Sequence, residues 1–202
     1  MKTYLYEGKN EEELILTALK ELDVKEDELL YTTKEEVSGL LKKKKIILKV
    51  VLKSDVLEFS KKFVKDLVSA MGLEINLETK RKENHILIKL HSNNNSILIG
   101  KNGKTLGSIQ TILRQAIFVN TGIHANIVLD VEDYKEKHQR SLEFLAKKLA
   151  KEVVQTQIEI KMDSMNSYER RLIHEVLKDF KGIKTESEGE EPNRCVVIKP
   201  SK

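Results

Sequence analysis

The 202-residue chain has few of the residues that cross-link secreted domains or form membrane spans. It contains one cysteine, two prolines and no tryptophan, and aromatic residues make up 5%. The lone Cys195 excludes an internal disulfide framework and a zinc site of several cysteines. The most apolar passage, residues 46–52, is interrupted by Lys49 and is much shorter than the roughly 20 apolar residues of a membrane span. The N-terminus also has no apolar stretch of signal-peptide length, so we expect a soluble, cytoplasmic protein.

Charge is abundant but nearly balanced. The chain carries 36 Lys and Arg residues against 32 Asp and Glu residues, a formal net charge of +4. Charged residues make up 34% and hydrophobic residues 40%, which is apolar enough to form cores and argues against wholesale disorder. A small positive net charge permits a polyanionic partner, so the position of the positive side chains decides what the protein binds.

Changes in hydrophobic periodicity divide the chain into three small α+β modules. Residues 1–52 are predicted to form an N-terminal βαββ-type domain. Residues 54–131 are predicted to run helix, strand, strand, helix, turn, helix, strand, with the last strand near 123–131. Residues 132–202 are predicted to begin with a long helix, followed by a strand near 158–162, a second helix and two strands.

Three predicted helices have apolar residues at helical spacing, which indicates their packed faces. The predicted stripes are Val56, Phe59, Phe63, Leu67 and Met71 in the first; Leu106, Ile109, Leu113 and Ile117 in the second; and Tyr168, Leu172, Val176 and Phe180 in the third. Each helix is therefore expected to pack through one side and to leave the other side in solvent.

The most informative passage lies at residues 97–106 and contains a Gly-x-x-Gly turn. Gly100 and Gly103 remove side chains that would keep another backbone at a distance, and they tolerate unusual backbone angles. The amides at the start of the following helix carry partial positive charge, which suits phosphate oxygens. Lys101 and Lys104 add mobile cations, and Asn102 adds hydrogen-bond donors. A plain connection between two helices is the alternative interpretation of the same residues.

Residues 54–131 resemble a KH domain of the prokaryotic type (type II), in which a helix and two strands precede the Gly-x-x-Gly turn. The resemblance implies that the turn clamps a nucleic-acid backbone and that bases lie in a groove beside it. We expect Ile97, Ile99 and Leu106 to be core residues, with Ile99 also at the groove floor. The RNA-binding residues implied are Ile99, Gly100, Lys101, Asn102, Gly103 and Lys104.

A second motif begins near Asn166, where Arg170 and His174 are four residues apart and so share a helical face. Two such side chains can donate to one phosphate, although a solvated arginine beside a surface histidine has the same spacing. With the tail at 187–200, the passage resembles an R-3-H domain, a family named for this Arg and His and associated with single-stranded nucleic acid. The resemblance places Arg194 at a further basic position.

The order of a small N-terminal domain, a KH domain and an R-3-H domain resembles the Jag (SpoIIIJ-associated) family of bacterial cytoplasmic proteins. The resemblance implies binding of single-stranded RNA, linked to cell-envelope growth or division, with single-stranded DNA as a second possible ligand. It also implies pairing with a small KH-domain protein, as a heterodimer or homodimer, and contact of the N-terminal domain with a membrane insertase or the division machinery. The N-terminal loop departs from the family pattern, because it is lysine-rich and has only Gly39.

The rival hypothesis is a protein-interaction adaptor, in which the N-terminal domain binds a membrane-associated partner and the KH domain mainly dimerises. Lys42 to Lys45 fit contact with a polyanion or membrane surface as well as a solvated loop. The histidines show no metal-ligand spacing, and nucleophile elbows, Walker loops and Rossmann fingerprints are absent. We therefore expect no metal, no cofactor and no catalytic residue.

Overall fold

A computed structural model describes residues 1–38, 43–82 and 85–201. Its contacts separate the chain into two compact units, Met1–Glu132 and Asp133–Lys202. Each unit combines helices with small sheets, so the α+β fold class is confirmed. The division of the first unit between residues 1–52 and 54–131 stays a prediction. Within the described ranges, no helix is both long enough and apolar enough to cross a bilayer.

The first unit begins with the predicted βαββ arrangement. Its elements are β1 (Tyr4–Gly8), α1 (Glu11–Leu22), β2 (Leu29–Ser38) and β3 (Lys43–Leu52), with a single 3-10 turn at Glu26–Glu28. Strand β3 lies between β1 and β2 and is antiparallel to both. Asn10 starts α1, since its side chain accepts a hydrogen bond from the Glu12 amide at 2.9 Å. Leu14 and Ala18 of α1 then pack in one core with Leu48 and Val50 of β3.

Residues 43–45 of the lysine run lie in a strand, which corrects the interpretation of that part of the run as a solvated loop. Lys42 and Gly39 lie outside the described residues, whereas residues 43–45 open β3. Lys44 Nζ lies 3.4 Å from a Glu35 carboxylate oxygen, and Lys45 Nζ lies 2.5 Å from one of Glu7. Ion pairs across the sheet thus occupy two of the lysines, which weakens their case as an anion-binding loop.

The rest of the first unit follows the predicted order of elements. These are α2 (Lys53–Ala70), β4 (Ile75–Lys82), β5 (His85–Ser92), α3 (Asn95–Ile99), a 3-10 turn at Lys101–Gly103, α4 (Lys104–Thr121) and β6 (Ile127–Val131). Strand β5 is central, antiparallel to β4 and parallel to β6. The parallel pair follows from the connection, because α3 and α4 carry the chain back across the sheet. Strand β6 begins four residues later than predicted, since 123–126 are buried in part but do not join the sheet.

The predicted packed face is correct for α4 but only partly correct for α2, where Val56 is buried as predicted. Leu106, Ile109, Leu113 and Ile117 are all buried. In α2 the buried residues are Val56, Ser60, Val64 and Val68, one position away from most of the predicted stripe. The two phenylalanines stack on each other, with centroids 5.7 Å apart, at the half-buried edge of the helix. The smaller side chains therefore face the core, and the two large rings lie beside it.

The second unit packs two helices against a three-stranded antiparallel sheet. Its elements are α5 (Tyr134–Thr156), β7 (Ile160–Lys161), α6 (Ser167–Leu177), β8 (Ile183–Glu188) and β9 (Cys195–Pro200), with β9 central. Its core includes Ala146, Ala150, Val153, Ile173, Leu177, Val196 and Ile198. Tyr168 was predicted to join the packed stripe of α6, but it is 65% exposed, because the buried side of that helix carries Arg170, Ile173 and Leu177.

Candidate nucleic-acid interface

The Gly-x-x-Gly turn has a backbone shape that only glycine can adopt at its first position. Gly100 has φ 71° and ψ 178°, a region essentially reserved for glycine. A Cβ atom placed there would also overlap the Thr105 side chain. Asn102 and Gly103 follow with φ values of 52° and 74°, both left-handed. The three positive φ values turn the chain sharply between α3 and α4.

The turn presents polar groups that have no partner within the described residues. Lys101, Asn102 and Lys104 are exposed, and none of their side chains makes a hydrogen bond or ion pair there. No side chain caps the start of α4, since its N-cap position is Gly103. An 18-residue helix therefore offers uncapped amide groups and the positive end of its dipole beside two lysines. This arrangement suits a phosphate group.

The apolar residues around the turn are not all in the core. Leu106 is buried, as predicted. Ile99 is half-buried. Ile97 is 50% exposed, so its prediction as a core residue is wrong. It lies in the five-residue helix α3, in which Leu98 is the buried residue. The side chain of Ile97 therefore stays on the surface near the turn.

Two polar side chains of α4 fix this helix to the edge strand β6, and the sequence analysis missed both. The Arg114 Nε and Nη2 atoms donate to the Ile127 carbonyl at 2.9 and 2.6 Å. The Leu129 amide donates to Gln110 Oε1 at 3.0 Å. Their position, one residue after the core residues Ile109 and Leu113, could have indicated that Gln110 and Arg114 lie at the border of the packed face. These bonds hold the start of α4, and hence the turn, in one orientation to the sheet.

In the second unit Arg170 is buried and paired rather than exposed. The residue is 7% exposed, and its Nη1 atom donates to the Met165 carbonyl at 2.7 Å. The same atom lies 2.8 Å from Glu191 Oε1, whose side chain is 61% exposed. The Met165 amide in turn donates to the Arg194 carbonyl at 3.1 Å. Arg194 itself is exposed, so the structure brings Arg170 and Arg194 to the same part of the unit, with one carboxylate over the buried guanidinium.

His174 is bonded through both ring nitrogens. Nδ1 lies 2.7 Å from the Thr185 hydroxyl and Nε2 lies 2.8 Å from the Ser187 hydroxyl, both on β8. Burial first, and the nearby positive charge of Arg170 second, lower the pKa of His174 below its ordinary value of 6.5. The imidazole is therefore neutral at pH 7, and it ties α6 to β8.

A buried carboxylate that the sequence analysis did not single out sets the start of α6. Glu169 Oε2 accepts from the Asn166 amide at 2.9 Å, and the Asn166 side chain accepts from the Glu169 amide at 3.0 Å. Glu169 Oε1 also lies 2.8 Å from His138 Nε2 of α5. This capping box explains why α6 begins where it does, and its contact with α5 fixes the position of Arg170 one residue later. Asn166 and Glu169, three residues apart, were the available signal.

Two protein-family models match the chain and define its class. A model described as the KhpA/KhpB KH domain matches residues 58–129, and a model of the R-3-H domain matches residues 140–200. The protein is therefore of the class that joins a KH domain to an R-3-H domain.

Curated relatives narrow this class to one family. The chain is 34% identical over 196 residues to the RNA-binding protein KhpB of Clostridium symbiosum, covering 95% of this chain and 88% of that protein. It is 30% identical over 204 residues to the RNA-binding protein KhpB of Bacillus subtilis (strain 168), covering 98% of each. The chain belongs to the KhpB family, and the resemblance to the Jag type is confirmed.

Replacing Gly100 by alanine is expected to strain the turn. The added Cβ would meet Thr105 in a backbone region that costs other residues about 1–3 kcal/mol, and we expect an equal fall in the free energy of unfolding. Gly107 is the matched control, since an added Cβ there meets nothing within 4 Å in the helical part of α4. Gly107→Ala should raise stability by about 0.5–1 kcal/mol. Urea unfolding followed by circular dichroism measures both, and equal tolerance of the two variants would contradict the turn geometry.

Lowering the pH should destabilise the second unit through His174. Its pKa is lower in the folded state, so the unfolded state binds more protons once the pH falls below about 6.5. The free energy of unfolding should decrease as the pH falls from 6.5 through the folded pKa, and His174→Gln should remove this part of the decrease. NMR titration of the ring, assigned by its absence in the variant, gives the pKa directly. A folded midpoint at or above 6.5 would show that the imidazole is not held neutral.

Proposed function

We propose that the protein binds single-stranded RNA through the Gly-x-x-Gly turn. The relatives at 34% and 30% identity are named RNA-binding proteins. The observation that carries the proposal is a group of exposed donors, Lys101, Asn102 and Lys104, that have no partner among the described residues and lie at the start of α4, which no side chain caps. A phosphodiester is a ligand of the right charge and size for such a group.

The bound RNA would pass with its backbone against the turn and its bases beside it. Gly100 and Gly103 have no side chains, so a phosphate can approach the start of α4, where the Lys104 amide is bonded to the Lys101 carbonyl and no side chain caps the amides that follow. The lysines neutralise phosphate charge, and Asn102 donates hydrogen bonds. Ile99 and the exposed Ile97 give the bases an apolar surface. These contacts read the backbone and the faces of the bases, so the expected sequence preference is relaxed.

The R-3-H residues take three different roles in this proposal. Arg170 is a phosphate site occupied in the RNA-unbound protein by the Glu191 carboxylate, which has the same charge and the same kind of oxygen acceptor. Arg194 is exposed nearby and adds a second cation. His174 is a positioning residue, because its nitrogens are engaged with two hydroxyl groups and its neutral form adds no charge. RNA would displace Glu191 and exchange one anion for another.

Two weak RNA-binding sites on one chain favour a role in binding rather than in catalysis. The second site encounters RNA at a raised local concentration once the first is bound, so weak contacts add to a useful avidity. The relatives' names describe binding, and the proposed roles need no nucleophile or general base. We accordingly infer a regulator of RNA rather than an enzyme.

A second KH-domain protein fits this proposal as a partner. The model that matches residues 58–129 is named for both KhpA and KhpB. Ile112 and Val119 are exposed and seven residues apart on α4, so they share one face that the described chain leaves uncovered. A cytoplasmic location, a role in envelope growth or division, and an insertase contact through residues 1–52 complete the proposal on the family resemblance alone.

Placing two carboxylates in the turn should prevent RNA binding by the KH site. Lys101→Asp with Asn102→Asp is expected to weaken the affinity for a short single-stranded RNA at least about tenfold, because it puts negative charge where phosphates lie. The slope of log affinity against log salt should also become shallower by about 0.7 for the lost lysine contact. Fluorescence anisotropy over a salt series, with matching RNA and DNA, measures both quantities.

The control for that variant is Lys62→Asp with Asn76→Asp. Both residues are exposed in the first unit outside the turn, and the net charge changes by the same amount. Equal weakening by the two double variants would reduce the effect to net charge and would remove the turn from the proposal. Unchanged binding in both would direct attention to the second unit.

Removing the Glu191 charge should strengthen RNA binding. Glu191→Gln leaves Arg170 without its carboxylate partner, so a phosphate no longer has to displace one; we expect about two- to tenfold tighter binding and a salt slope steeper by about 0.7. Glu190→Gln makes the same charge change at the adjacent exposed residue. Anisotropy titrations of the two variants decide the point. If they behave alike, Arg170 is a structural residue and not a phosphate site.

A further inference from the structure

One face of helix α5 carries positive charge around a single exposed aromatic ring. At 100° per residue, the face centred on Phe144 also receives Lys137, Arg140, Lys147, Lys148 and Lys151. All six side chains are exposed, and Phe144 is 73% exposed. We call these six residues the α5 stripe. It is about 21 Å long from Lys137 to Lys151, since a helix rises 1.5 Å per residue.

Packing of the second unit does not account for the stripe. Helix α5 is buried on its other side, through Ala146, Ala150 and Val153. Phe144 points away from that side, so its ring contributes little to the core. Phe144 lies at the centre of the most polar face of the helix, where a polar residue would fit equally well, so packing of the core does not require a ring there.

The lysines of the stripe keep their charge unpaired. Arg140 pairs with Glu136 of the preceding turn. Lys137, Lys147, Lys148 and Lys151 make no ion pair within the described residues, unlike Lys44 and Lys45 of β3. No acidic residue falls within 60° of Phe144 on the helix, and the nearest, Glu136 and Glu152, lie at the borders of the stripe. The result is a local positive potential on a chain whose net charge is only +4.

Charge and shape together indicate which anion fits. A membrane-bound helix needs a broad apolar face to enter the lipid boundary, and the stripe has one ring. A row of lysines with one aromatic ring between them matches a single nucleic-acid strand, whose phosphates are contacted by the cations while a base stacks on the ring. A duplex keeps its bases inside and would leave the ring unused.

We propose that the α5 stripe is a further binding surface for single-stranded RNA, with Phe144 as the base-stacking residue and Lys137, Lys147, Lys148 and Lys151 as phosphate contacts. The inference rests on the proposed RNA-binding function and deepens it, because it adds a surface outside both the Gly-x-x-Gly turn and the Arg-x-x-x-His pair. Stacking accepts any base, so the stripe would add affinity and salt dependence and little sequence preference.

The ring is tested by three variants at one position in the full chain. Phe144→Ala should weaken binding of a short single-stranded RNA by about five- to 150-fold, the range that loss of one base–aromatic stack produces. Phe144→Tyr keeps a stacking surface and should bind within about twofold of the unchanged protein. Phe144→Leu keeps an apolar side chain without a ring and should behave like the alanine variant. If leucine restores binding, the contact is merely apolar and the stacking role is wrong.

The lysines are tested against a matched pair in the same unit. Lys147→Ala with Lys151→Ala should make the salt slope shallower by about 1.4, which is 0.7 for each lost phosphate contact on a single strand. Lys178→Ala with Lys181→Ala removes the same charge from exposed residues beyond α6 and should leave the slope nearly unchanged. Equal slopes for the two pairs would overturn the proposal, because the effect would then come from net charge alone.

Failure of this inference can be told from failure of the RNA-binding proposal. If the unchanged protein binds RNA, the carboxylate variant of the turn does not, and Phe144→Ala binds normally, the turn is the site and the stripe is not. If the unchanged protein binds no RNA, both proposals are wrong. Sedimentation with vesicles containing anionic phosphatidylserine tests a membrane surface as the ligand of the stripe. If vesicle binding depends on Phe144 and RNA binding does not, the stripe binds a membrane surface and the proposal is wrong.

Discussion

The backbone at Gly100 is the constraint on which the KH half of the molecule depends. Its φ of 71° and ψ of 178° form an almost glycine-only conformation, and the Thr105 side chain occupies the space that a Cβ would need. This one residue lets α3 end and α4 begin within four residues. Gly103, at the N-cap of α4, has no side chain to cap that helix, and Lys101 and Lys104 lie beside it in solvent. The bonds of Arg114 and Gln110 to β6 then hold that helix start in place.

The cations of the Gly-x-x-Gly turn and the buried Arg170 differ in their surroundings, and this difference shapes the proposed function. At the turn the lysines are exposed and unpartnered among the described residues, so binding a phosphate costs little beyond ordering flexible side chains. In the second unit Arg170 is already buried against a carbonyl and a carboxylate. A ligand there has to replace Glu191. Its binding free energy at this site is therefore only the difference between its own interaction with Arg170 and that of the Glu191 carboxylate. The turn is therefore suited to first contact, and the buried arginine to selecting anions that offer more than one oxygen.

Sequence periodicity predicted the order of helices and strands because that order depends on local patterns. It did not predict packed faces or side-chain partners where these depend on residues distant in the sequence. The α4 face was correct, since Leu106, Ile109, Leu113 and Ile117 face a core built from the same unit. The α2 stripe was correct only at Val56, because the large rings that set the apolar pattern are half-buried at the edge of the helix while Ser60 and Val64 are buried. The partners of Arg170 and His174, Glu191 and Ser187, lie more than ten residues away along the chain, so no spacing rule could show that both motif side chains are engaged.

The proposed α5 stripe would let the second unit bind RNA even though Arg170 is already paired with Glu191. A buried pair that must open before it binds works poorly as the only contact, since the ligand first has to be brought to it. Unpaired lysines on a helix of the same unit attract a polyanion over a distance of roughly a Debye length, about 8 Å at physiological salt. A base stacked on Phe144 would then keep the strand on the second unit for longer than the charge alone. In this arrangement the weak and exposed contacts act first, and they raise the local concentration at which the phosphate competes with Glu191.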